Sequence, residues 1–481
     1  MIEALRGLGY STATALADII DNSLSANARN VSLIFSWAGG RSHVAVLDDG
    51  KGMDALTLDL AMRLGERSPL DQREAGDLGR FGLGLKTASF SQCRRLTVAS
   101  VNRGEINCLR WDLDVLAASD DGWHLLEGPA DGSEGLIAPL ADAGKGTLVL
   151  WECLDRIVTP GFKEQDFLDL IDMVERHLAM VFHRYLSEPR PKLRLTINGR
   201  SVSPWDPFMA SHPATYSSPV VPLGDVQVQC HVLPHKDRLT PDEVESGGGP
   251  HGWTAQQGFY VYRNERLLVA GSWLGLGHGR SWTKEEAHRL ARIRLDIPNS
   301  ADAAWKIDIR KSSAKPPVGL RPALTRLAED ARSRARKVFA HRGQPVRVGG
   351  AKPVVQAWRA EHFKGGVRYR IDDSHPAVRE VLDQAGHLAP QIKAMIRVIE
   401  ETVPVQRMWL DTAEGKETPR TGFAGEAPAE VRSVLLPMYR NFILRKAMSP
   451  ELARERLLST EPFHNYPELV RSLPDVPDAE G

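Results

Sequence analysis

The chain has 481 residues, of which 42% are hydrophobic and 25% are charged, a composition typical of a globular protein with two or three domains. Its 61 basic and 61 acidic side chains balance, so the net charge does not indicate binding to nucleic acid or to a membrane surface. The four cysteines are scattered without a CxxC pair, which argues against a disulfide framework or a zinc site. No signal-peptide pattern is visible, and no apolar run is long enough to span a bilayer, so we expect a cytoplasmic protein.

The first predicted element is an amphipathic helix over residues 13–28. Its apolar residues recur at helical spacing, and Ser11 or Thr12 can cap its N-terminus. Asp18 and Asn22 lie four residues apart and therefore on the same polar face. A carboxylate and a carboxamide so placed can respectively orient a water molecule and hold Mg²⁺, which needs few protein oxygens.

Hydrophobic periodicity predicts the remaining elements. Strands are expected at residues 31–37, 43–47, 95–101, 106–114, 148–151, 193–197, 257–264, 292–297, 305–309 and 367–371. Helices are expected at 54–64, 162–187 and 320–341, followed by a mainly helical region over 353–481. Frequent Pro, Gly and Ser predict a long loop near 243–252. The pattern divides the chain into three predicted domains, residues 1–158, 159–345 and 346–481.

A charged segment, residues 65–78, precedes a glycine-rich stretch at 79–84. Gly79, Gly82 and Gly84 come directly before a predicted helix. Glycine lets backbone N–H groups approach a ligand, and a helix N-terminus favours an anion. The stretch can therefore cradle phosphate, although it lacks the Gly-Lys-Ser/Thr of a P-loop and the leading strand of a dinucleotide-binding fold.

The predicted strand at 43–47 runs directly into Asp48-Asp49-Gly50-Lys51-Gly52-Met53. A carboxylate at a strand end beside glycines can accept a hydrogen bond from an adenine amino group. Taken alone, the same residues could form an ordinary turn. The neighbouring motifs decide between the two interpretations.

Together these stretches resemble the boxes of the GHKL ATPase superfamily, which includes gyrase B, the large heat-shock chaperone, histidine kinases, MutL and MORC. Residues 15–26 resemble its N-box, 48–53 its G1 box, 79–84 its G2 box, and Gly146-Thr147 its Gly-Thr box. The resemblance implies an α/β (α+β) protein: a Bergerat-type α/β-sandwich ATP-binding domain, a transducer-like α/β domain and a mainly helical C-terminal region. It is closest to the bacterial MutL/MORC-like ATPases of restriction and phage-defence systems.

The resemblance implies ATP and Mg²⁺ as ligands. Asn22 would bind Mg²⁺, Asp48 would accept the adenine amino group, and Thr147 would complete the adenine contacts. The other nucleotide-binding positions of the matching boxes are Gly50, Gly52, Met53, Gly79, Arg80, Phe81, Gly82, Leu83, Gly84 and Lys86.

The roles of two predicted catalytic positions stay open. Asp18 stands where ATPases of the class usually have Glu, and its shorter side chain predicts slow or lost turnover. In the second domain, residues 308–315 resemble the MutL segment whose last residue, a lysine, reaches the γ-phosphate. We therefore expect Lys315 in that role, with Lys311 as the alternative.

The implied function is an ATP-binding and ATP-hydrolysing conformational switch in a DNA-related or phage-defence system. The alternative is a non-hydrolysing, nucleotide-sensing scaffold. The family implies an ATP-gated homodimer, and nuclease or helicase proteins are candidate partners. DNA binding stays open, because the basic helix at 320–341 can equally be a solvated or interdomain face.

Overall fold

The computed structural model of the chain describes residues 6–7, 9–63, 84–118, 124–299, 302–307, 313–340, 355–363, 366–408 and 428–475. The predictions for Gly79 to Leu83, and the alternative Lys311, lie outside the described residues. The chain forms two compact units, Met1–Gln344 and Pro345–Gly481. The predicted boundary at residue 158 stays a prediction.

An eight-stranded sheet organises the N-terminal part of the first unit. Its strands are β1 (Asn30–Ser36), β2 (His43–Asp48), β3 (Arg95–Asn102), β4 (Glu105–Asp112), β5 (Leu126–Glu127), β6 (Gly146–Glu152), β7 (Arg194–Ile197) and β8 (Arg200–Ser201). Their order is β5-β4-β3-β6-β2-β1-β7-β8, with β1 and β7 parallel and the other described neighbours antiparallel. The helices of this lobe are α1 (Thr12–Ser25), α2 (Ala55–Met62), α3 (Gly84–Phe90), α4 (Leu113–Ala118), α5 (Glu134–Ala143), α6 (Glu164–Val181) and α7 (His183–Leu186).

Helix α1 confirms the predicted amphipathic helix. Ser11 caps it by accepting a hydrogen bond from the backbone N–H of Thr14 at 3.2 Å. Its predicted apolar face, which includes Leu16 and Ile20, is buried in the core of the first sheet. The helix ends at Ser25 rather than at 28, because Asn27 adopts a positive φ of 61° that an α-helix cannot contain.

A second sheet follows within the first unit. Its strands are β9 (Tyr216–Ser217), β10 (Val221–Leu223), β11 (Val226–Val232), β12 (Gly258–Arg263), β13 (Arg266–Ser272) and β14 (Ala291–Ile297). The order is β10-β11-β14-β12-β13, with β9 beside β11, so that β13 forms an edge. The helices of this lobe are α8 (Pro241–Gly247), α9 (Asp302–Trp305) and α10 (Arg321–Ala340). Helix α10 buries Leu324, Ala328 and Ala331 against this sheet.

Three local predictions for this region differ in part from the structure. The loop predicted near 243–252 begins as helix α8, because Thr240 and Glu243 form a capping box around its N-terminal proline. The strand predicted at 305–309 begins as the last residue of α9, and its end lies outside the described residues. The helix predicted over 162–187 is divided into α6 and α7 by the non-helical backbone of Phe182.

Helices α6 and α7 join the two sheets of the first unit. Met180 of α6 packs in one buried cluster with Tyr260, Tyr262 and Leu267 of the second sheet. His183 of α7 makes a 2.8 Å hydrogen bond with the Tyr262 hydroxyl. The second sheet therefore rests on the lobe that carries α1.

The second unit is described by itself. It contains a hairpin of β15 (Trp358–Phe363) and β16 (Gly366–Ile371), and the helices α11 (Pro376–Gln384), α12 (Ala389–Glu401), α13 (Pro428–Leu444), α14 (Pro450–Leu458) and α15 (Pro467–Arg471). Its core includes Leu435, Tyr439 and Leu457. The mainly helical character and the strand at 367–371 agree with prediction, whereas β15 was not predicted. Among the described residues of the chain, no helix is long and apolar enough to cross a membrane.

Candidate nucleotide-binding site

Asp48 lies at the C-terminal end of β2, where the sequence predicts the adenine contact. Its Oδ2 accepts a hydrogen bond from the Ser23 hydroxyl at 2.7 Å. Its Oδ1 accepts from the backbone N–H groups of Gly50 at 2.9 Å and Thr147 at 3.3 Å. Burial raises the pKa of the Asp48 carboxyl above its ordinary value, and the three hydrogen bonds oppose that rise.

Two positions at this site require glycine, because neighbouring backbone carbonyl groups leave no room for a Cβ atom. A Cβ on Gly52 would lie 1.9 Å from the carbonyl oxygen of Val101, and one on Gly146 would lie 1.8 Å from the carbonyl oxygen of Asp48. Both residues also have positive φ, 67° and 103°. A side chain on Gly52 would therefore displace the loop after β2 from β3, and one on Gly146 would displace the start of β6 from the end of β2.

A short hydrogen-bonded chain connects this loop to the sheet. The Met53 backbone N–H donates to the Ser100 hydroxyl oxygen at 2.8 Å. The Ser100 and Thr147 hydroxyls are 2.9 Å apart. The structure thus brings together the predicted residues Asp48, Gly52 and Thr147, and adds Ser23 and Ser100, to which sequence reasoning gave no role.

The geometry leaves Asp48 able to accept one further hydrogen bond. A carboxylate has about four acceptor positions, and the described donors fill three of them, two on Oδ1 and one on Oδ2. The remaining position on Oδ2 suits an amino-group donor such as that of adenine. This is the chemistry that the sequence predicts for Asp48.

Asp18 and Asn22 occupy the same face of α1 but different environments. Asp18 is 5% exposed, and its Oδ2 accepts a hydrogen bond from the Tyr10 hydroxyl at 3.0 Å. Asn22, one turn further along the helix, is exposed. A buried carboxylate beside an exposed carboxamide is the arrangement that a general base and a Mg²⁺ ligand would need.

Arg266 reaches these residues from the second sheet. It is the first residue of β13 and is 4% exposed. Its Nε donates to both carboxylate oxygens of Asp21, at 3.2 and 3.1 Å, and its Nη2 lies 3.8 Å from Oδ1 of Asp18. Sequence reasoning missed this residue, because an arginine at the start of an apolar strand carries no distinguishing local signal.

Lys86, predicted to assist with phosphate, lies on α3 directly after the glycine-rich stretch. Its side chain is buried, and its ammonium donates to the carbonyl oxygens of Ala61 at 2.9 Å and Arg63 at 2.6 Å. These carbonyls belong to the C-terminal end of α2, which a cation stabilises. Gly84 begins α3, and the phosphate-binding roles of both residues stay predictions.

Lys315 is exposed and lines a cavity of about 810 Å³ that Arg266 also lines. Its backbone N–H donates to the carbonyl oxygen of Trp305 at 2.7 Å, which fixes this turn against α9. The predicted γ-phosphate lysine therefore shares a cavity wall with the arginine that contacts Asp18. Its role stays a prediction.

The described residues contain no group of three or more His, Cys, Asp or Glu side chains that could hold a metal ion. The exposed carboxamide of Asn22 nevertheless fits Mg²⁺, which commonly takes one or two protein oxygens and completes its shell with water and phosphate. A nucleotide-dependent Mg²⁺ site is compatible with this donor set.

Comparison with known proteins identifies the class to which this site belongs. Residues 10–147 match the family described as "Histidine kinase-, DNA gyrase B-, and HSP90-like ATPase". That range contains all four sequence boxes, and the structure shows the mixed α/β architecture that they predict. The chain carries an ATPase-type domain of the GHKL superfamily, as the sequence predicts.

Within that superfamily the chain is similar to DNA mismatch repair protein MutL. It is 27% identical over 219 residues to MutL of a Bradyrhizobium species, an alignment covering 44% of this chain and 31% of the relative. It is 28% identical over 217 residues to MutL of Rhodopseudomonas palustris, covering 44% and 32%. The alignments therefore span about a third of the length of these curated relatives.

Two solved structures are also similar. The ATPase and transducer domains of DNA topoisomerase II from Balamuthia mandrillaris give a TM-score of 0.40 at 12% identity, covering 68% of this chain and 85% of that one. The ATPase region of Saccharomyces cerevisiae topoisomerase II gives 0.38 at 10% identity with the same coverage. No functional inference follows from likeness at this level.

Proposed function

We propose that the protein is an ATP-hydrolysing conformational switch, in which the second sheet reports on and completes the ATP site. The observation that carries this proposal is the contact of Arg266 with Asp18 and Asp21. An ion pair between a strand of the second sheet and the helix of the first couples the position of one lobe to the other. ATP binding by the domain is supported at the level of its family.

Nucleotide binding is assigned to residues of the first lobe. Asp48 accepts the adenine amino group on Oδ2, and Gly52 leaves room for the base. When bound, Mg²⁺ at Asn22 would neutralise charge on the phosphates. Phosphoryl transfer depends mainly on such positioning and charge stabilisation, so the protein need supply little covalent chemistry.

Hydrolysis is assigned to Asp18, which accepts a proton from the attacking water. Its carboxylate is positioned by the Tyr10 hydroxyl and by the Arg266 guanidinium. Lys315, from the cavity wall shared with Arg266, is assigned to the γ-phosphate. The short side chain of Asp18 leads us to expect slow turnover.

The rival function is a nucleotide sensor that does not hydrolyse ATP. One observation favours it: Asp18 is contacted by both Tyr10 and Arg266. To act as a general base, Asp18 would have to replace one of these contacts with a contact to the attacking water molecule. Phosphate release therefore separates the two functions.

The wider role is proposed from the relatives. The two MutL relatives are DNA mismatch repair proteins, which supports a DNA-related role for this chain, whereas a phage-defence role is proposed from the sequence resemblance alone. An ATP-gated homodimer with nuclease or helicase partners would suit that role. The balanced net charge gives no independent support for DNA binding.

The test measures the thermal unfolding midpoint with and without ATP and Mg²⁺, together with phosphate release, for wild type and Asp48→Asn. Asn keeps a carbonyl oxygen for the backbone donors but loses acceptor capacity, so we expect nucleotide affinity to fall about 10- to 100-fold. The midpoint shift should disappear at sub-saturating ATP. An unchanged shift in Asp48→Asn would refute the adenine assignment, and absence of phosphate release from wild type would leave only the sensor.

A further inference from the structure

Two aromatic side chains share one face of the hairpin in the second unit. The antiparallel register of β15 and β16 places Ala360 opposite Tyr369, and Trp358 lies two residues before Ala360. Alternate residues of a strand point to the same side, so Trp358 and Tyr369 occupy diagonal positions on one face. Trp358 is 37% exposed and Tyr369 is 59% exposed. The hairpin therefore presents two large rings to solvent.

The spacing of these two positions suits a third planar ring. Diagonal partners in an antiparallel ladder lie about 7–8 Å apart. A ring inserted between two others needs about 7 Å between the outer planes, which is twice the contact distance of carbon atoms. Trp358 and Tyr369 can therefore stack on the two faces of one inserted ring.

Both rings line a cavity of about 390 Å³ within the second unit. Its other lining residues are Arg368, Glu400, Glu401, Val403 and Val405. Glu400 fixes the end of α12 beside the hairpin, because it accepts hydrogen bonds from the Ile371 backbone N–H at 2.8 Å and from the Arg370 guanidinium at 2.6 Å. The volume lies in the range of small-ligand sites.

One carboxylate oxygen at this cavity is placed to accept a hydrogen bond from a ligand. Oε1 of Glu401 lies 3.2 Å from Nη1 of Arg370 and 3.4 Å from Nη2 of Arg397, and the Glu401 side chain is 56% exposed. Among the contacts of the described residues, none involves its Oε2. Carboxylates accept hydrogen bonds from the amino group of cytosine, and adenine and guanine also carry amino groups, whereas thymine does not. Glu401 therefore suits an amino-bearing base.

Arg368 supplies positive charge in the same cavity wall. It is exposed, and a guanidinium of this kind can neutralise a phosphate. The carboxylates of Glu400 and Glu401 do not cancel this charge, because Arg370 and Arg397 each lie within ion-pair distance of both. A planar base joined to a phosphate is therefore the ligand chemistry that fits.

We propose that this cavity binds an unpaired base of a single-stranded nucleic acid. The base stacks between Trp358 and Tyr369, Oε2 of Glu401 accepts from its amino group, and Arg368 neutralises a phosphate of the strand. Aromatic side chains commonly bind single strands in this way, because every base has a planar face. The proposal goes beyond the ATP switch: it uses no residue of the nucleotide site and does not require that ATP be hydrolysed.

The experiment measures binding of the full chain, without ATP, to a fluorescently labelled oligodeoxycytidylate of about twelve nucleotides by fluorescence anisotropy. The test protein is the double variant Trp358→Ala/Tyr369→Ala, whose thermal unfolding midpoint is checked against wild type. The matched control is Tyr216→Ala, which removes an exposed tyrosine of the first unit. Asp48→Asn disables the proposed adenine contact and so keeps this proposal distinguishable from the ATP switch.

We expect wild type, Tyr216→Ala and Asp48→Asn to bind the strand alike. The double variant should keep its unfolding midpoint and bind at least about tenfold more weakly, because the stacking contacts are lost. Wild type should bind oligodeoxycytidylate more tightly than oligodeoxythymidylate, and Glu401→Gln should reduce that preference. Competition by free CMP would show that one base and one phosphate suffice, whereas a failure of CMP to compete would show that further phosphates of the strand are needed. Either result supports the site.

Four results would overturn the proposal. The first is that wild type binds neither strand, and the second is that the double variant binds as tightly as wild type. The third is equal binding of a duplex of the same length, which would indicate contacts to phosphate alone. The fourth is binding that disappears in Asp48→Asn, which would place the base at the nucleotide site of the first unit.

Discussion

Asp48 and Asp18 are both buried carboxylates of the first lobe, but they are held in different ways. Asp48 receives neutral donors, the Ser23 hydroxyl and two backbone N–H groups, all from its own lobe. Asp18 receives a hydroxyl from Tyr10 and lies near a guanidinium, Arg266, from the second sheet. One carboxylate depends on local structure, and the other depends on how two lobes meet.

Because of this difference, the proposed adenine contact of Asp48 and the proposed catalytic role of Asp18 can be tested independently. The Asp48 site is assembled by strand ends and glycine turns that form with the first sheet. The Asp18 environment is complete only when β13 lies against α1. Variants at Asp48 should therefore affect binding, whereas variants at the lobe contact should affect turnover and the stability of the contact.

The largest expected effect tests the catalytic side of the comparison. Asp18→Asn removes the proposed general base but keeps the size of the side chain, so phosphate release should fall about 100- to 10,000-fold. The ATP-dependent midpoint shift should persist, because Asp48 is untouched. Asp18→Glu, which has the side chain usual in the class, should retain or increase activity. If Asp18→Asn releases phosphate as fast as wild type, Asp18 is not the base.

The second prediction breaks the contact between the lobes. Arg266→Met leaves Asp21 and Asp18 buried without this cation, so the free energy of unfolding should fall by about 3–5 kcal/mol in denaturant titrations. Arg266→Lys should lose less. The matched control is Arg176→Met, which changes an exposed arginine of α6. If Arg266→Met is as stable and as active as wild type, the Arg266 contact does not couple the second sheet to the Asp18 site.

The smallest expected effect is on the pH dependence of the free energy of unfolding, which tests the contact between the two lobes. Burial lowers the pKa of His183 to about 3 and that of His231 to about 4. Between those values and the unfolded value of about 6.5, the unfolded chain binds protons that the folded chain does not. The free energy of unfolding should therefore fall as the pH is lowered from about 7 to 5, by about 2 kcal/mol per histidine.

His183 lies at the joint between the lobes, since it hydrogen-bonds to Tyr262 of the second sheet. His183→Gln removes the titrating group and can keep that hydrogen bond, so its stability should depend less on pH. Equal pH dependence in the variant and in wild type would exclude His183 as a source of the effect. Denaturant midpoints at the two pH values provide the measurement.

The parts predicted from sequence are those that local pattern determines. The apolar spacing of Leu16 and Ile20 defines α1, and β2 with the Asp48 turn is encoded within a few residues. Arg266 could not be predicted, because its partner Asp21 is 245 residues away and the contact depends on tertiary packing. Helix α8 was not predicted, because the surrounding Gly and Pro residues favour a loop. Thr240 and Glu243 nevertheless have the spacing of a capping box.

The regular rise of α1 fixes the distances between the site residues that it carries. Asp18 and Asn22 follow one another at an interval of about 6 Å along the helix axis. A rigid helix keeps this interval constant whatever ligand is present. Signals therefore cannot travel by stretching α1. A change in the surroundings of Asp18 must therefore come from side chains outside α1, and Tyr10 and Arg266 are described contacts of that kind.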